Sequence, residues 1–146
     1  MGNVSEILLQ KPEQGLRCAR SDESVLTATQ RMNEHGIGAL LVMDEGRLVG
    51  IFTERDVLRR VVAAELAPGR VRVAEVMTTE IACCTPETSL EDARNTFRQH
   101  RIRHLPVVNE LGEVEGLISI GDLNAYDASH QEVTIQFLHE YVYGRV

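Results

Sequence analysis

The chain has 146 residues, 43% hydrophobic and 25% charged, which is the balance of a soluble globular protein of one ordinary domain or two small repeats. Its formal net charge of −7 excludes a groove for a nucleic acid polymer, whose affinity would rest on a basic surface and released counterions. No apolar run approaches the roughly 20 residues that span a bilayer, so no membrane partner is expected.

At the N-terminus, Met1-Gly2-Asn3-Val4-Ser5-Glu6 lacks a basic region followed by an apolar segment, and its serine stands one place too early for myristoylation. A cytoplasmic chain is the expectation. The cysteines Cys18, Cys83 and Cys84 have no metal-ligand spacing and form no C-x-x-C, so they read as small strand residues of a reducing compartment.

Taken in order, the chain repeats itself. A leader, Val4-Ser5-Glu6-Ile7-Leu8, returns as Val73-Ala74-Glu75-Val76-Met77. The short apolar runs at Cys18 and Cys83 predict matching strands. Helices follow: Val25, Ala28 and Met32 fall in register with Leu90, Ala93 and Phe97, 65 positions on, both in the i, i+3, i+7 spacing of one helix face after Ser24 and Ser89. His35 then matches His100, and Ile37 matches Ile102. Strands are predicted over 39–43 and 104–108, and over 47–52 and 113–118, joined by turns at Asp44-Glu45-Gly46 and Asn109-Glu110-Leu111-Gly112. The second turn is one residue longer, an insertion that a duplicated fold tolerates.

Each repeat therefore reads as strand, helix, strand, turn, strand, helix. So small a unit is not stable alone. The expected fold is α+β, two tandem β-α-β-β-α repeats packed sheet to sheet about a pseudo-twofold axis. Residues 1–67 hold the first repeat with its leader helix, 68–130 the second with its leader segment, and 131–146 a C-terminal helical tail in which Ile135, Leu138 and Val142 keep helical spacing. Between the halves, Ala67-Pro68-Gly69-Arg70 reads as a short turn that keeps them together.

The chemistry concentrates where the second long strand of each repeat hands over to a helix. There the chain reads Gly50-Ile51-Phe52-Thr53-Glu54-Arg55-Asp56, and again Gly116-Leu117-Ile118-Ser119-Ile120-Gly121-Asp122. A hydroxyl residue followed three places later by a carboxylate can be a capping box that satisfies the helix start from within. It can equally be a ligand seat: free N–H groups and the helix dipole hold a phosphate, while the carboxylate accepts from both hydroxyls of a ribose. Asp is shorter than the Glu or Gln preferred for back-capping, which leans towards the ligand. Arg55, Arg59, Arg60, Arg101, Arg103 and His104 crowd near these stretches, enough to hold a small anion, although a solvated helix face is the expected place of Arg59 and Arg60. The five histidines, His35, His100, His104, His130 and His139, fall in no catalytic pattern, and no cluster has metal-ligand spacing. No enzymatic activity is expected.

Two marks in tandem resemble a known family: His35-Gly36-Ile37-Gly38-Ala39-Leu40-Leu41-Val42 with 50–56, and Arg101-Ile102-Arg103-His104-Leu105-Pro106-Val107-Val108 with 116–122. Over nearly its whole length the chain resembles the CBS-domain pair, or Bateman module, and its tail Glu132-Val133-Thr134-Ile135-Gln136-Phe137-Leu138 is similar to that of small stand-alone bacterial members. The resemblance implies regulatory clefts for AMP, ADP or ATP, and in some members NAD or S-adenosylmethionine, together with a disc-like homodimer and an unknown regulated protein as partner. It also implies that Asp56 and Asp122 hold the ribose, and that Thr53 and Ser119 face the phosphate. Glu54, Arg55, Ile120 and Gly121 would line the same turns, with Ala39, Leu40, Arg103, His104, Leu105 and Pro106 around the base. Acidic groups near the phosphate favour AMP or NAD over ATP, and the second motif, with Ile120-Gly121 allowing close backbone approach, is the better site. The alternative is a ligand-free structural module that dimerises or docks on a partner.

Overall fold

A computed structural model describes residues 2–11 and 17–130. The first leader is helix α1 (Val4–Gln10), and the first repeat runs β1 (Cys18–Ala19), α2 (Val25–His35), β2 (Ala39–Asp44), β3 (Arg47–Thr53) and α3 (Glu54–Asp56), which continues as a π-helix over Val57–Val62. A single 3₁₀ turn (Pro68–Arg70) leads to the second leader α4 (Val73–Val76), then α5 (Leu90–His100), β4 (His104–Val108), β5 (Val114–Ser119) and helix α6 over 120–130. The expected helical tail, 131–146, lies outside the described residues.

Local chemistry sets the ends of these elements. The Ser24 and Ser89 hydroxyls accept from Thr27 N and Asp92 N to cap α2 and α5, and the buried stripes are the expected ones: Val25, Ala28, Met32 and Leu90, Ala93, Phe97. Gly36 ends α2 in the left-handed region at φ 64°, whereas Arg101 holds the same place after α5 at φ 53°.

Strand β2 pairs parallel with β1 and antiparallel with β3, and β4 pairs antiparallel with β5. Both antiparallel pairs shift register at the same place, between Val42 and Met43 and between Val107 and Val108, so the duplication extends to the bulge. Pro106 accounts for one difference. In the first repeat Leu41 N donates to Arg17 O at 3.1 Å, but its counterpart Pro106 has no N–H to give. On the edge away from β5, β4 is accordingly met by a single parallel bridge, Cys84 to Val107, rather than by a counterpart of β1.

Packing divides the chain differently from the sequence boundaries at 67 and 68. One core gathers Ala19, Val25, Ala28, Met32, Leu40, Val42, Phe52 and Val61 of the first repeat with Val71, Val73 and Val76 of the second leader. The other gathers Cys84, Leu90, Ala93, Phe97, Leu105, Val107, Ile118 and Leu123 of the second repeat with Val4 and Ile7 of the first leader. Each leader completes the other half's core. Matching backbone bonds hold them there: Val73 N to Glu23 O and Ala74 N to Ser21 O, against Val4 N to Thr88 O and Ser5 N to Pro86 O.

This exchange explains the first residue of the repeated motif. A Cβ at position 50 would stand 2.6 Å from the Met77 sulfur and 3.1 Å from the Thr78 carbonyl oxygen, and one at 116 would stand 2.7 Å from Leu8 Cδ2. Both glycines seat the incoming leader of the opposite half. The reciprocity is what a twofold relation between the repeats requires.

Candidate functional site

At both strand-to-helix junctions the internal cap forms. Thr53 Oγ1 accepts from Asp56 N at 3.3 Å while Asp56 Oδ2 accepts from Thr53 N at 2.9 Å; Ser119 Oγ accepts from Asp122 N at 3.0 Å while Asp122 Oδ2 accepts from Ser119 N at 2.8 Å. Aspartate is therefore long enough to back-cap, contrary to the expectation from side-chain length, because the extended N-cap residue turns its N–H towards the helix start. Glu54 N and Ile120 N are also used, donating to Gly38 O and Arg103 O. Among the donors of the first turn, those of Arg55 and Gly121 are left for a ligand oxygen.

The two carboxylates differ in everything beyond the cap. Asp56 is buried: its Oδ1 accepts from the Thr78 hydroxyl at 3.2 Å and has Arg60 Nε 3.8 Å away. Asp122 is half-buried, and the ammonium of Lys11 sits 3.0 Å from its Oδ2 and 2.7 Å from the carbonyl oxygen of Leu117. Thr78 follows the second leader and Lys11 the first. Sequence reasoning missed both residues, since nothing in a leader's own sequence says which half it crosses to.

Among the described residues two clefts open between the repeats. One, about 570 Å³, is walled by Ile51, Thr53, Glu54, Arg55, Asp56, Leu58 and Arg59 of the first repeat, by Thr78, and by Ile102, Arg103 and His104 of the second. The other, about 660 Å³, lies between Met32, Asn33, Gly38, Glu54 and Val57 on one side and Arg103, His104, Ser119, Ile120 and Gly121 on the other. Glu54, Leu58, Arg103 and His104 border both. The Glu54 carboxylate lies over Gly38, 3.1 Å from where a Cβ would be, so a side chain at 38 would push it out of the clefts.

Some sequence candidates sit elsewhere. The side chains of Leu40 and Leu105 are fully buried in the two cores, Ala39 and Pro106 are buried in their strands, and none of the four borders a described cleft. Asp122 borders neither cleft, while its neighbours Ser119, Ile120 and Gly121 do. The two arginines expected on a solvated face are both exposed, Arg59 at the wall of the first cleft and Arg60 donating to the carbonyl oxygens of Val76 and Met77, so that Arg60 also ties the second leader to the first repeat.

His104 reports the electrostatics. Burial pushes its imidazole pKa below the ordinary value, against the pull of the Glu54 and Asp122 carboxylates and with the help of Lys11 and Arg103. The folded chain favours the neutral ring, so the unfolded chain binds the extra proton first, and stability should fall as pH drops below the unfolded value of about 6.5. The melting temperature of His104→Gln should therefore decline less than that of the wild type between about pH 7.5 and pH 5.5. Equal declines would assign the acid sensitivity to another group.

The helix beyond Asp56 is distinctive. Ala63 N bonds Leu58 O in the five-residue spacing of a π-helix, which is frequent at functional sites, while α6 in the second repeat is regular; beyond it Leu66 N to Val61 O, with Glu65 at φ 58°, is the same left-handed cap that closes α2 and α5. Val61 turns into the core, and Leu58 and Val62 stand 61% and 62% exposed. Among the described residues no helix is long and apolar enough to cross a membrane, and no group of three or more His, Cys, Asp or Glu could hold a metal.

Fold and clefts together define a duplicated α+β module with its openings between the repeats. The CBS domain family model matches residues 4–63 and 73–129, and the chain belongs to that family. A putative signal-transduction protein with CBS domains from Burkholderia ambifaria superimposes with a TM-score of 0.86 at 39% identity, covering 89% of this chain and 96% of that one. The CBS domain-containing protein YhcV of Bacillus subtilis is 36% identical over 75% of this chain and 77% of its own. The mitochondrial CBS domain-containing protein CBSX3 of Arabidopsis thaliana is also 36% identical, over 85% of this chain but only 62% of its own, so this chain spans less than two thirds of that relative.

Proposed function

We propose that the protein is a non-catalytic, cytoplasmic regulatory module that binds an adenine nucleotide (AMP, ADP, ATP or NAD) between its CBS repeats and passes energy or redox state to a partner protein. The observation that carries this reading is the make-up of the first cleft. A ligand lying against the Thr53-to-Asp56 turn would also touch Thr78 and His104, and so would couple the two halves. Its charge bears on the choice of ligand: the guanidinium groups of Arg55, Arg59 and Arg103 share the lining with the carboxylates of Glu54 and Asp56. That balance supports ADP or ATP beside AMP, where the acidic residues alone favoured the less charged ligands. Proteins of the same fold have been solved complexed with AMP, and with 5′-methylthioadenosine and S-adenosyl-L-methionine; at 22% and 24% identity they share the fold alone. The homodimer is part of this reading; Leu58 and Val62, though exposed, line the second cleft themselves, where the apolar faces of a base would cover them.

The competing reading, a ligand-free interaction module, draws on the capping boxes: both carboxylates already have partners inside the chain. A thermal-shift and calorimetric panel of AMP, ADP, ATP, NAD and S-adenosylmethionine separates the two. A ligand that binds only the folded state stabilises it by about 2.7 kcal/mol at a hundredfold excess over Kd. Stabilisation by at least one adenylate is expected. No shift with any of them at about millimolar concentration would leave the interaction module.

A further inference from the structure

The two carboxylates of the repeated motif are served by different groups at the same place. In the first repeat Thr78 N donates to Ile51 O at 2.9 Å and its hydroxyl donates to Asp56. In the second, Leu117 holds the place of Ile51, and the Lys11 ammonium alone makes both bonds, to Leu117 O and to Asp122. One ammonium replaces a backbone N–H and a hydroxyl.

That replacement leaves an imbalance of charge. The ammonium lies at the start of α6, whose dipole, with the one N–H left at Gly121, already forms a positive end, where a cation is disfavoured and an anion is welcome. Among the described residues the carboxylate bonded to this ammonium is Asp122, and it is also committed to the Ser119 N–H. The side chains of Lys11 and Asp122 are 38% and 26% exposed, and a pair so open to water contributes little, so it exchanges readily for other partners. Meanwhile the neck of the lysine is fixed, because α1 packs on β5 through Val4 and Ile7. Its head can swing while its base stays in place.

We propose that Lys11 is the specificity-determining residue on the Asp122 side: it yields the carboxylate to a ribose and takes the ligand's phosphate in exchange, so that this side accepts phosphorylated adenylates and rejects the bare nucleoside. The proposal rests on the nucleotide-binding reading above. Adenosine would strip the ammonium of its carboxylate and give nothing back. AMP restores an anionic partner and meets the helix start as well. On the Asp56 side a neutral hydroxyl holds the equivalent place, and the cation alongside, Arg60, keeps the Val76 and Met77 carbonyl oxygens as partners when the carboxylate is taken, so no such exchange is needed.

The test is to titrate AMP and adenosine into the wild type, Lys11→Met, Lys11→Arg and, as the counterpart control, Thr78→Val, following the amide resonances of Ser119 and Asp122. The wild type should prefer AMP roughly tenfold or more at these reporters, the equivalent of about 1.4 kcal/mol. Lys11→Met, which keeps the apolar stem, should bring the two affinities close together by weakening AMP and strengthening adenosine. Lys11→Arg and Thr78→Val should keep the preference. If AMP binds but the preference survives in Lys11→Met, the role of Lys11 is overturned and the nucleotide reading stands. If neither ligand moves any resonance of the wild type, the role of Lys11 is overturned, and the nucleotide reading falls with it only when ADP, ATP and NAD are silent as well.

Discussion

Ile7→Ala is expected to destabilise the chain by about 2–5 kcal/mol, the range for truncating a large aliphatic residue in a core, and to do so in the second repeat, more than seventy positions downstream. The side chain is 2% exposed and sits among Cys84, Leu90, Phe97, Leu105 and Ile118, none of which belongs to the half that carries it in sequence. Val76→Ala is the mirror experiment: Val76 is 3% exposed within the core built on Val25, Leu40 and Phe52. Amide hydrogen exchange checks both. Ile7→Ala should lower protection of Leu105–Val107 before that of Leu40–Val42, and Val76→Ala should reverse the order. Loss in the repeat adjacent to each leader would contradict the exchange.

The exchange also marks the limit of what the sequence disclosed. Periodicity and internal offset were enough for the two repeats, the buried stripes of α2 and α5, and the junctions at Thr53 and Ser119, because each is a local pattern written in neighbouring residues. The leaders were legible as a repeat but not as crossovers, since similarity along the chain carries no record of which surface a helix packs against. Lys11 and Thr78 were lost for the same reason, being distant in sequence from Asp122 and Asp56. Gly50 and Gly116 were legible as marks, but their cause lies in Met77 and Leu8 arriving from the other half. Leu40 and Leu105 came to the base from the resemblance alone, which does not tell a strand's backbone from its side chains, and the two side chains fill the cores.

Asp56→Asn and Asp122→Asn, chemically the same change at equivalent positions, should have opposite signatures. Asp56 is 5% exposed, and its two oxygens accept from Thr53 N and from the Thr78 hydroxyl, with the Arg60 guanidinium alongside. An asparagine there keeps one acceptor, presents an amine to whichever donor meets the other side, and removes the charge that faces Arg60. A cost of about 1–3 kcal/mol follows from leaving buried donors without an acceptor. Asp122→Asn keeps the bond to Ser119 N through its remaining oxygen and loses a half-exposed ion pair to Lys11, a change of about 0–1 kcal/mol. Its penalty should fall on the ligand instead, since a neutral amide accepts from only one of two ribose hydroxyls; AMP affinity should drop about 10- to 100-fold, at 1.4 kcal/mol per factor of ten. Melting temperatures and calorimetric titrations of the two variants side by side check the contrast. Equal destabilisation with AMP affinity untouched in both would mean that these carboxylates serve the helix starts and nothing more.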